Sequence, residues 1–297
     1  MATATTLPAA TATTTAGRAS YDSVVLADHP VAFWDMSQPD GTEPDLTANG
    51  HTGSYVGGTH ARTALPNGDA AVDLNGSGQY MTVASSPVFS IPTTKELTWE
   101  AWIRPDTLQW SARNDTEGYN DVDFMGKCQD YSPSCEWEAR MYDSVNPQGR
   151  CNRLSAYVFN PTAGEGSGAD WQPDCGSLKA GQWLYVVGEY QTGTTPAGCD
   201  PTYPGSINIW VDGIEWDADS HAPTGCMSQF DVSPTANGSP LNIGTMALET
   251  WFPGAIGKVA LYDTLLTPAQ IDEHFEAMTG SAPSGSCAET CTSVPVP

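Results

Sequence analysis

Between residues 79 and 262, short apolar runs alternate with polar turns. QYMTVAS (79–85) alternates apolar and polar side chains, the period of a half-buried strand. LTWEAWI (97–103) is rich in aromatic residues and stops at Arg104-Pro105. WEARMY (137–142), RLSAYVF (153–159), WLYVVGEY (183–190), INIWVDG (207–213) and GKVALY (257–262) follow, each bounded by Gly, Pro, Asn or Asp. Runs of this length between turn residues predict an antiparallel sandwich. Asp212-Gly213 adds a hairpin signal, because a two-residue hairpin turn needs positive φ. The strand–helix alternation that builds parallel sheets is absent.

One helix is sharply written after the last strand. Thr267 is the expected N-cap, Pro268 takes the first helical position and Gln270 closes a capping box. Ile271, Phe275 and Met278 form a single apolar stripe. A helix with one stripe docks on the sandwich it follows, here expected at an edge or open end. His274 is expected at its surface.

Charge narrows the partners. Eleven Lys and Arg against 35 Asp and Glu give a formal charge of −24. Such a surface repels phosphate backbones and anionic lipid, so nucleic acid is not an expected partner. Neutral polymers and divalent cations remain open. No run of apolar residues is long enough to cross a membrane as a helix, so no membrane insertion is expected.

The eight cysteines are Cys128, Cys135, Cys151, Cys175, Cys199, Cys226, Cys287 and Cys291. Their even number, without a Cys-x-x-Cys pair, argues for disulfides and a secreted, extracellular location. Spacing does not fix the pairing. The simplest expectation is sequential: Cys128–Cys135, Cys151–Cys175, Cys199–Cys226 and Cys287–Cys291. Each bridge would staple a Gly/Pro/Asp-rich insertion.

Residues 1–19 are Ala/Thr repeats and read as a disordered linker. Residues 20–279 form the expected domain, and 280–297 a Ser/Pro/Cys tail. Both ends look like tethers to another domain. No basic and apolar leader follows Met1, so the chain reads as a mature form or an excised piece.

The order of segments is itself informative. YDSVVLADHPVAFWDM, DLTANGHTGSYVGG, AVDLNGSGQYMTV, LTWEAWIRP, GQWLYVVGEY, INIWVDG and GAIGKVALYDTLLTPAQIDEHFEAM together resemble the laminin-G-like, concanavalin-A-like lectin/glucanase jelly rolls. The resemblance runs over roughly residues 20–279, with insertions at about 105–136, 160–181 and 191–206. It implies an all-β fold: a two-sheet antiparallel jelly-roll β-sandwich with one short C-terminal helix. Sugar-binding modules, glycosidases and lyases share that fold, so it does not choose among them. It also implies a calcium ion at the DLTANG turn, with Asp45 giving a carboxylate and Asn49 an amide oxygen. Many relatives carry Asp-Glu where this chain has Gly257-Lys258, and Lys258 is expected to repel a cation. The other reading of Asp45 and Asn49 is an Asx turn.

Three groups carry candidate chemistry. Glu136 and Glu138 are two apart and expected on one strand face, with Arg140 beside them. A carboxylate pair of this kind serves a glycoside hydrolase as nucleophile and acid/base. A cross-strand ion pair of Glu138 with Arg140 or Arg153 is the simpler account. Glu100 and Glu189 also lie in mid-strand. A lyase would use Arg140, Arg153 and Tyr157 on adjacent strands, although the sequence motifs of alginate lyases are missing. Trp110, Tyr119, Trp171 and Tyr203 fall in the polar insertions, where aromatic rings cover sugar C–H faces or simply pin the loops. GEGSGAD (164–170) is not a serine-nucleophile elbow, since no strand-turn-helix surrounds it, and NDTEGYNDVD (114–123) reads as a solvated loop, with a second cation loop as the alternative. The function expected from all this is a secreted, calcium-assisted lectin-like domain for a polysaccharide or other glycan. The alternative is a polysaccharide-degrading enzyme using the strand carboxylates.

Overall fold

The computed structural model describes residues 19–110, 120–128, 135–159, 166–194, 205–216 and 232–284. Tyr119, Tyr203, Cys199, Cys226, Cys287 and Cys291 lie outside these residues. Helix α1 (Tyr21–Ala27) opens the domain. It is followed by β1 (Ala32–Trp34), β2 (Thr42–Glu43), β3 (Gly53–Val56), β4 (Ala61–Ala64), β5 (Ala70–Asn75) and β6 (Tyr80–Val83). A one-turn α2 (Ile91–Thr94) leads into β7 (Glu96–Pro105), β8 (Asp121–Lys127), β9 (Trp137–Tyr142), β10 (Leu154–Phe159) and β11 (Gly166–Trp171). The chain ends with β12 (Leu184–Thr192), β13 (Gly205–Val211), β14 (Ile214–Trp216), β15 (Leu241–Ile243), β16 (Pro253–Tyr262) and α3 (Pro268–Thr279).

These strands form two antiparallel sheets of eight. The first runs β14-β13-β12-β7-β16-β5-β4, with β1 also paired to β16. The second runs β11-β10-β9-β8-β15-β6-β3-β2. The expected sandwich is therefore present. Alternation decides which side chains meet between the sheets. From the first sheet come Trp99, Ile103, Val186, Ile209 and Leu261; from the second come Phe124, Trp137, Met141, Leu154 and Ile243. Burying each large apolar chain contributes about 1.5–3 kcal/mol. The β13–β14 hairpin turns on Asp212 and Gly213, at φ 53 and 78, as the sequence predicts.

The first sheet is apolar on both faces. Its outer face presents Trp102, Tyr185, Val187, Trp210 and Tyr262, which pack with Tyr21 and Val25 of α1 and Ile271 and Met278 of α3. The capping box at Thr267 and Gln270 forms as expected. The helix does not cover an edge or an open end. It lies with α1 on the outer face, because the strands beneath offer an apolar surface there. His274 is correspondingly buried, not exposed. Its Nδ1 is 2.9 Å from Glu100 Oε2 and its Nε2 is 2.9 Å from Asp28 Oδ2. Glu100 and Glu189 both belong to this covered face, and neither reaches solvent.

Two of the expected disulfides are described. Cys128–Cys135 joins the end of β8 to the approach to β9. Cys151–Cys175 joins the β9–β10 connection to the segment after β11.

Candidate functional site on the open face of the second sheet

No described helix covers the outer face of the second sheet, and the strands place polar side chains there. Leu154, Ala156 and Val158 of β10 enter the core, so Ser155 and Tyr157 point outward. Trp137, Ala139 and Met141 of β9 likewise leave Glu138, Arg140 and Tyr142 outside. Cross-strand register then aligns these residues in rows. Asp123 faces Arg140, Arg140 faces Ser155, and Ser155 faces Asp170. A parallel row sets Gly126 opposite Glu138, Glu138 opposite Tyr157, and Tyr157 opposite Gly168. Asp121 lies opposite Tyr142.

Arg140 is the hub. Its Nη1 donates to Glu138 Oε1 at 2.9 Å. Its guanidinium carbon lies 4.2 Å from the Tyr157 ring centre and 5.0 Å from that of Tyr142. A planar cation against two ring faces is held by cation–π attraction as well as by its ion pair. Burial would lower its pKa, but Tyr142, Glu138 and Asp121 outweigh that and hold it well above the usual value. Burial pushes the Tyr142 hydroxyl up to about 12, so it keeps its proton.

A second ion pair flanks the hub. Arg153 Nη1 donates to Asp170 Oδ2 at 2.8 Å, and its Nε donates to Gln172 Oε1 at 2.9 Å. Ser155 Oγ donates to Asp170 Oδ1. Gln172 Nε2 donates to the Cys151 carbonyl at 2.7 Å, which ties this corner to the Cys151–Cys175 bridge. The side chains of Arg140, Arg153 and Asp170 are 17%, 12% and 21% exposed, so the hub opens to solvent there. Among the described residues, Asn120 Oδ1, Asp121 Oδ1 and Arg140 Nε are buried without a hydrogen-bond partner. Each such atom costs on the order of 1–3 kcal/mol unless something bonds it.

The carboxylate pair expected for catalysis is divided between two cations. Glu136 sits one residue before β9, and its Oε1 takes Lys127 Nζ at 2.8 Å and the Asn237 N–H at 3.1 Å. Lys127 stands opposite Trp137, a core residue, whereas Glu138 pairs with Arg140 on the open face. Of the three residues a lyase would use, Arg140 of β9 lies against the Tyr157 ring of β10, whereas Arg153, one residue before β10, pairs with Asp170.

The two described aromatic candidates pack inward. Trp110 rests against the main core and donates Nε1–H to the Asn120 carbonyl at 3.1 Å. Trp171 follows Ala169 on the inner side of β11 and meets Trp216 edge-on, ring centres 6.1 Å apart. That pair joins the edge strands of the two sheets, β11 and β14.

At the DLTANG turn the donor set does not fit calcium. Asp45 Oδ1 accepts the Phe33 and Thr47 N–H groups, at 3.2 and 3.0 Å, and the Thr47 hydroxyl at 2.7 Å. Oδ2 accepts the His51 N–H at 3.0 Å. Asn49 turns Nδ2 to the Val31 carbonyl at 3.0 Å. Both Asp45 oxygens thus face hydrogens, as in an Asx turn. Among the described residues no group of three or more His, Cys, Asp or Glu is arranged to hold a metal.

Sequence reading missed Asn120, Asp121, Asp123, Ser155 and Asp170. The supposed insertions contain β8 and β11. Asp-Val-Asp-Phe at 121–124 does alternate, but a register shift between Asp123 and Met125 breaks the pattern. Gly-Ser-Gly-Ala-Asp-Trp at 166–171 has poor strand propensity and is a strand only because β10 pairs with it.

Two facing antiparallel sheets, one backed by helices and one bearing a polar face, define a lectin- or glucanase-type sandwich. The sequence agrees: residues 75–272 match the Laminin_G_3 model of the Concanavalin A-like lectin/glucanases superfamily, and the chain belongs to that family. No curated protein matches the chain significantly. Among solved structures it is similar to domain 4 of AbnA, a GH43 extracellular arabinanase from Geobacillus stearothermophilus, in complex with arabinotriose. That match has 18% identity and TM-score 0.51, covering 82% of this chain and 97% of the other. It is also similar to the botulinum neurotoxin serotype C1 binding domain, with 10% identity and TM-score 0.56, covering 84% of this chain and 52% of the other. The botulinum neurotoxin type G receptor binding domain gives 13% identity and TM-score 0.52, over 83% and 51%. The described helices are all too short or too polar to cross a membrane.

Proposed function

We propose that the chain is an extracellular carbohydrate-binding domain that holds a neutral polysaccharide on the open face of its second sheet. The observation that carries this reading is Arg140, set between the Tyr142 and Tyr157 rings in the Asp123–Arg140–Ser155–Asp170 row. Guanidinium and carboxylate groups in fixed planes bond pairs of sugar hydroxyls, and ring faces take sugar C–H groups. The part-exposed Arg140, Arg153 and Asp170 offer donors and an acceptor to such hydroxyls. Asp121, Asp123, Glu138 and Asp170 line the face, and with a total charge of −24 they favour a neutral sugar over a uronate. The arabinanase domain with its bound arabinotriose supports a sugar ligand for this architecture. The two disulfides support an extracellular setting. Binding is favoured over hydrolysis because Glu136 and Glu138 are each taken by a different cation.

The test is a polysaccharide array of neutral and uronate polymers, with product analysis of every retained polymer. Retention of a neutral polymer, lost about tenfold or more in Arg140→Ala and without new reducing ends, supports the reading. Unchanged retention in Arg140→Ala, or reducing ends released by wild type and not by Glu138→Gln, overturns it.

A further inference from the structure

Lys258 interrupts β16. The register with β7 shifts between Gly257 and Ala260, and Lys258 has φ 52. A left-handed conformation at a non-glycine residue is strained and persists only where its surroundings over-determine it. The surroundings here are three carboxylates. Lys258 Nζ is 2.6 Å from Asp22 Oδ1 and 3.0 Å from Asp69 Oδ2, and it also donates to Asp35 Oδ1. Its side chain is 1% exposed. The Lys258 N–H donates in addition to the Asp35 carbonyl at 3.2 Å.

These carboxylates come from separate pieces of chain. Asp22 is in the first turn of α1, Asp35 follows β1, and Asp69 lies between β4 and β5. Four segments therefore meet at one positive charge. Oxygen ligands converging from distant segments are how a structural divalent cation ties a fold together. Burial alone would lower the ammonium's pKa, but the hydrogen bonds it donates to Asp22, Asp35 and Asp69 outweigh it and hold the group charged. One ammonium against three carboxylates leaves the cluster net negative. The sequence reading has Lys258 repelling a cation; in the structure its ammonium is the cation, and the Asp45 turn is saturated with hydrogen-bond donors.

We propose that Lys258 is a built-in cation that performs, in this chain, the joining role of a bound calcium ion, so that the fold holds here without metal. Replacing it by a neutral residue leaves three converging carboxylates, 34%, 28% and 44% exposed at Asp22, Asp35 and Asp69, that take up a divalent ion. The inference is independent of the glycan reading.

Thermal unfolding of wild type and Lys258→Met, each in EDTA and in millimolar calcium chloride, tests it. Wild type is expected to show the same Tm in both. Lys258→Met is expected to unfold on the order of 5–10 °C lower in EDTA and to regain at least about half of that in calcium. If Lys258→Met does not fold in EDTA, its refolding yield with and without calcium is the readout, and a yield restored by calcium supports the proposal. Adding Asp69→Asn to Lys258→Met should abolish the recovery. A wild-type Tm that rises with calcium as much as the variant's, a variant equally impaired in both buffers, or recovery that survives Asp69→Asn would each overturn it.

Discussion

His274 Nδ1 stands 2.9 Å from Glu100 Oε2 and fastens the last helix to the middle of the first sheet. Asp28 takes the other ring nitrogen, and Tyr185 and Tyr262 both donate hydroxyls to Glu100. Burial would lower the imidazole's pKa, but Glu100 and Asp28 outweigh it and raise it above the usual 6.5. Burial first, then the charge of Glu100, raises both tyrosines, which therefore stay neutral donors. A raised folded value means stabilisation that is complete below the unfolded value and lost as pH climbs through the folded one. The stability advantage of wild type over His274→Gln should therefore shrink as pH rises above the usual imidazole value of 6.5 in urea unfolding. Glu189 has the same sign: burial raises it from 4.5 to about 7, so its contribution disappears as pH rises through about 7. Wild type should lose this contribution on raising the pH, and Glu189→Gln should not. An advantage over His274→Gln that grows with pH contradicts the account.

Gly188 faces Trp99 in the register of β12 with β7. A Cβ on Gly188 would lie 2.3 Å from Trp99 Cε2 and Cζ2, both in the core. Gly188→Ala is expected to cost about 2–3 kcal/mol through overpacking, measured by denaturant midpoint. A loss within about 0.5 kcal/mol would mean that the indole moves freely.

Trp171→Ala separates packing from ligand contact. The ring closes the β11–β14 edge against Trp216, so its loss should lower stability by roughly 2–4 kcal/mol. Sugar retention by the folded fraction should stay near the wild-type level, measured by affinity electrophoresis at a temperature where the variant is native. Unchanged stability with abolished retention would return Trp171 to the ligand site.

The Cys151–Cys175 bridge supports Gln172, which in turn holds Arg153. Replacing both cysteines by serine should reduce stability by about 3 kcal/mol on the chain-entropy account. It should also weaken polysaccharide retention, because the Arg153–Asp170 corner loses its anchor. Retention that is indifferent to the double substitution would show that this corner orients itself.

Local chemistry made much of the sandwich legible. WEARMY marks β9 residue for residue, and Thr267, Pro268 and Gln270 mark the start of α3. These signals act over a few residues and need no distant partner. His274 was misread because its neighbours Glu273 and Glu276 make that side of the helix look wet, whereas Glu100, 174 residues away, supplies its partner. Asp170 was hidden for the same kind of reason. Its strand consists of glycine, serine and alanine as well, and only the ladder with β10 holds it extended. The Arg140 hub was half visible: Glu138 and Arg140 lie two apart, but their rows with Asp123, Ser155 and Asp170 exist only once the register is known.

The two helices give the molecule a back. Tyr21 opens α1 and meets His274 of α3 with ring centres 6.4 Å apart, over the sheet that carries no open polar face. The start of α1 and the end of α3 thus both lie on the reverse side. The Arg140 side remains turned outward, like the working surface of a tool held by its handle.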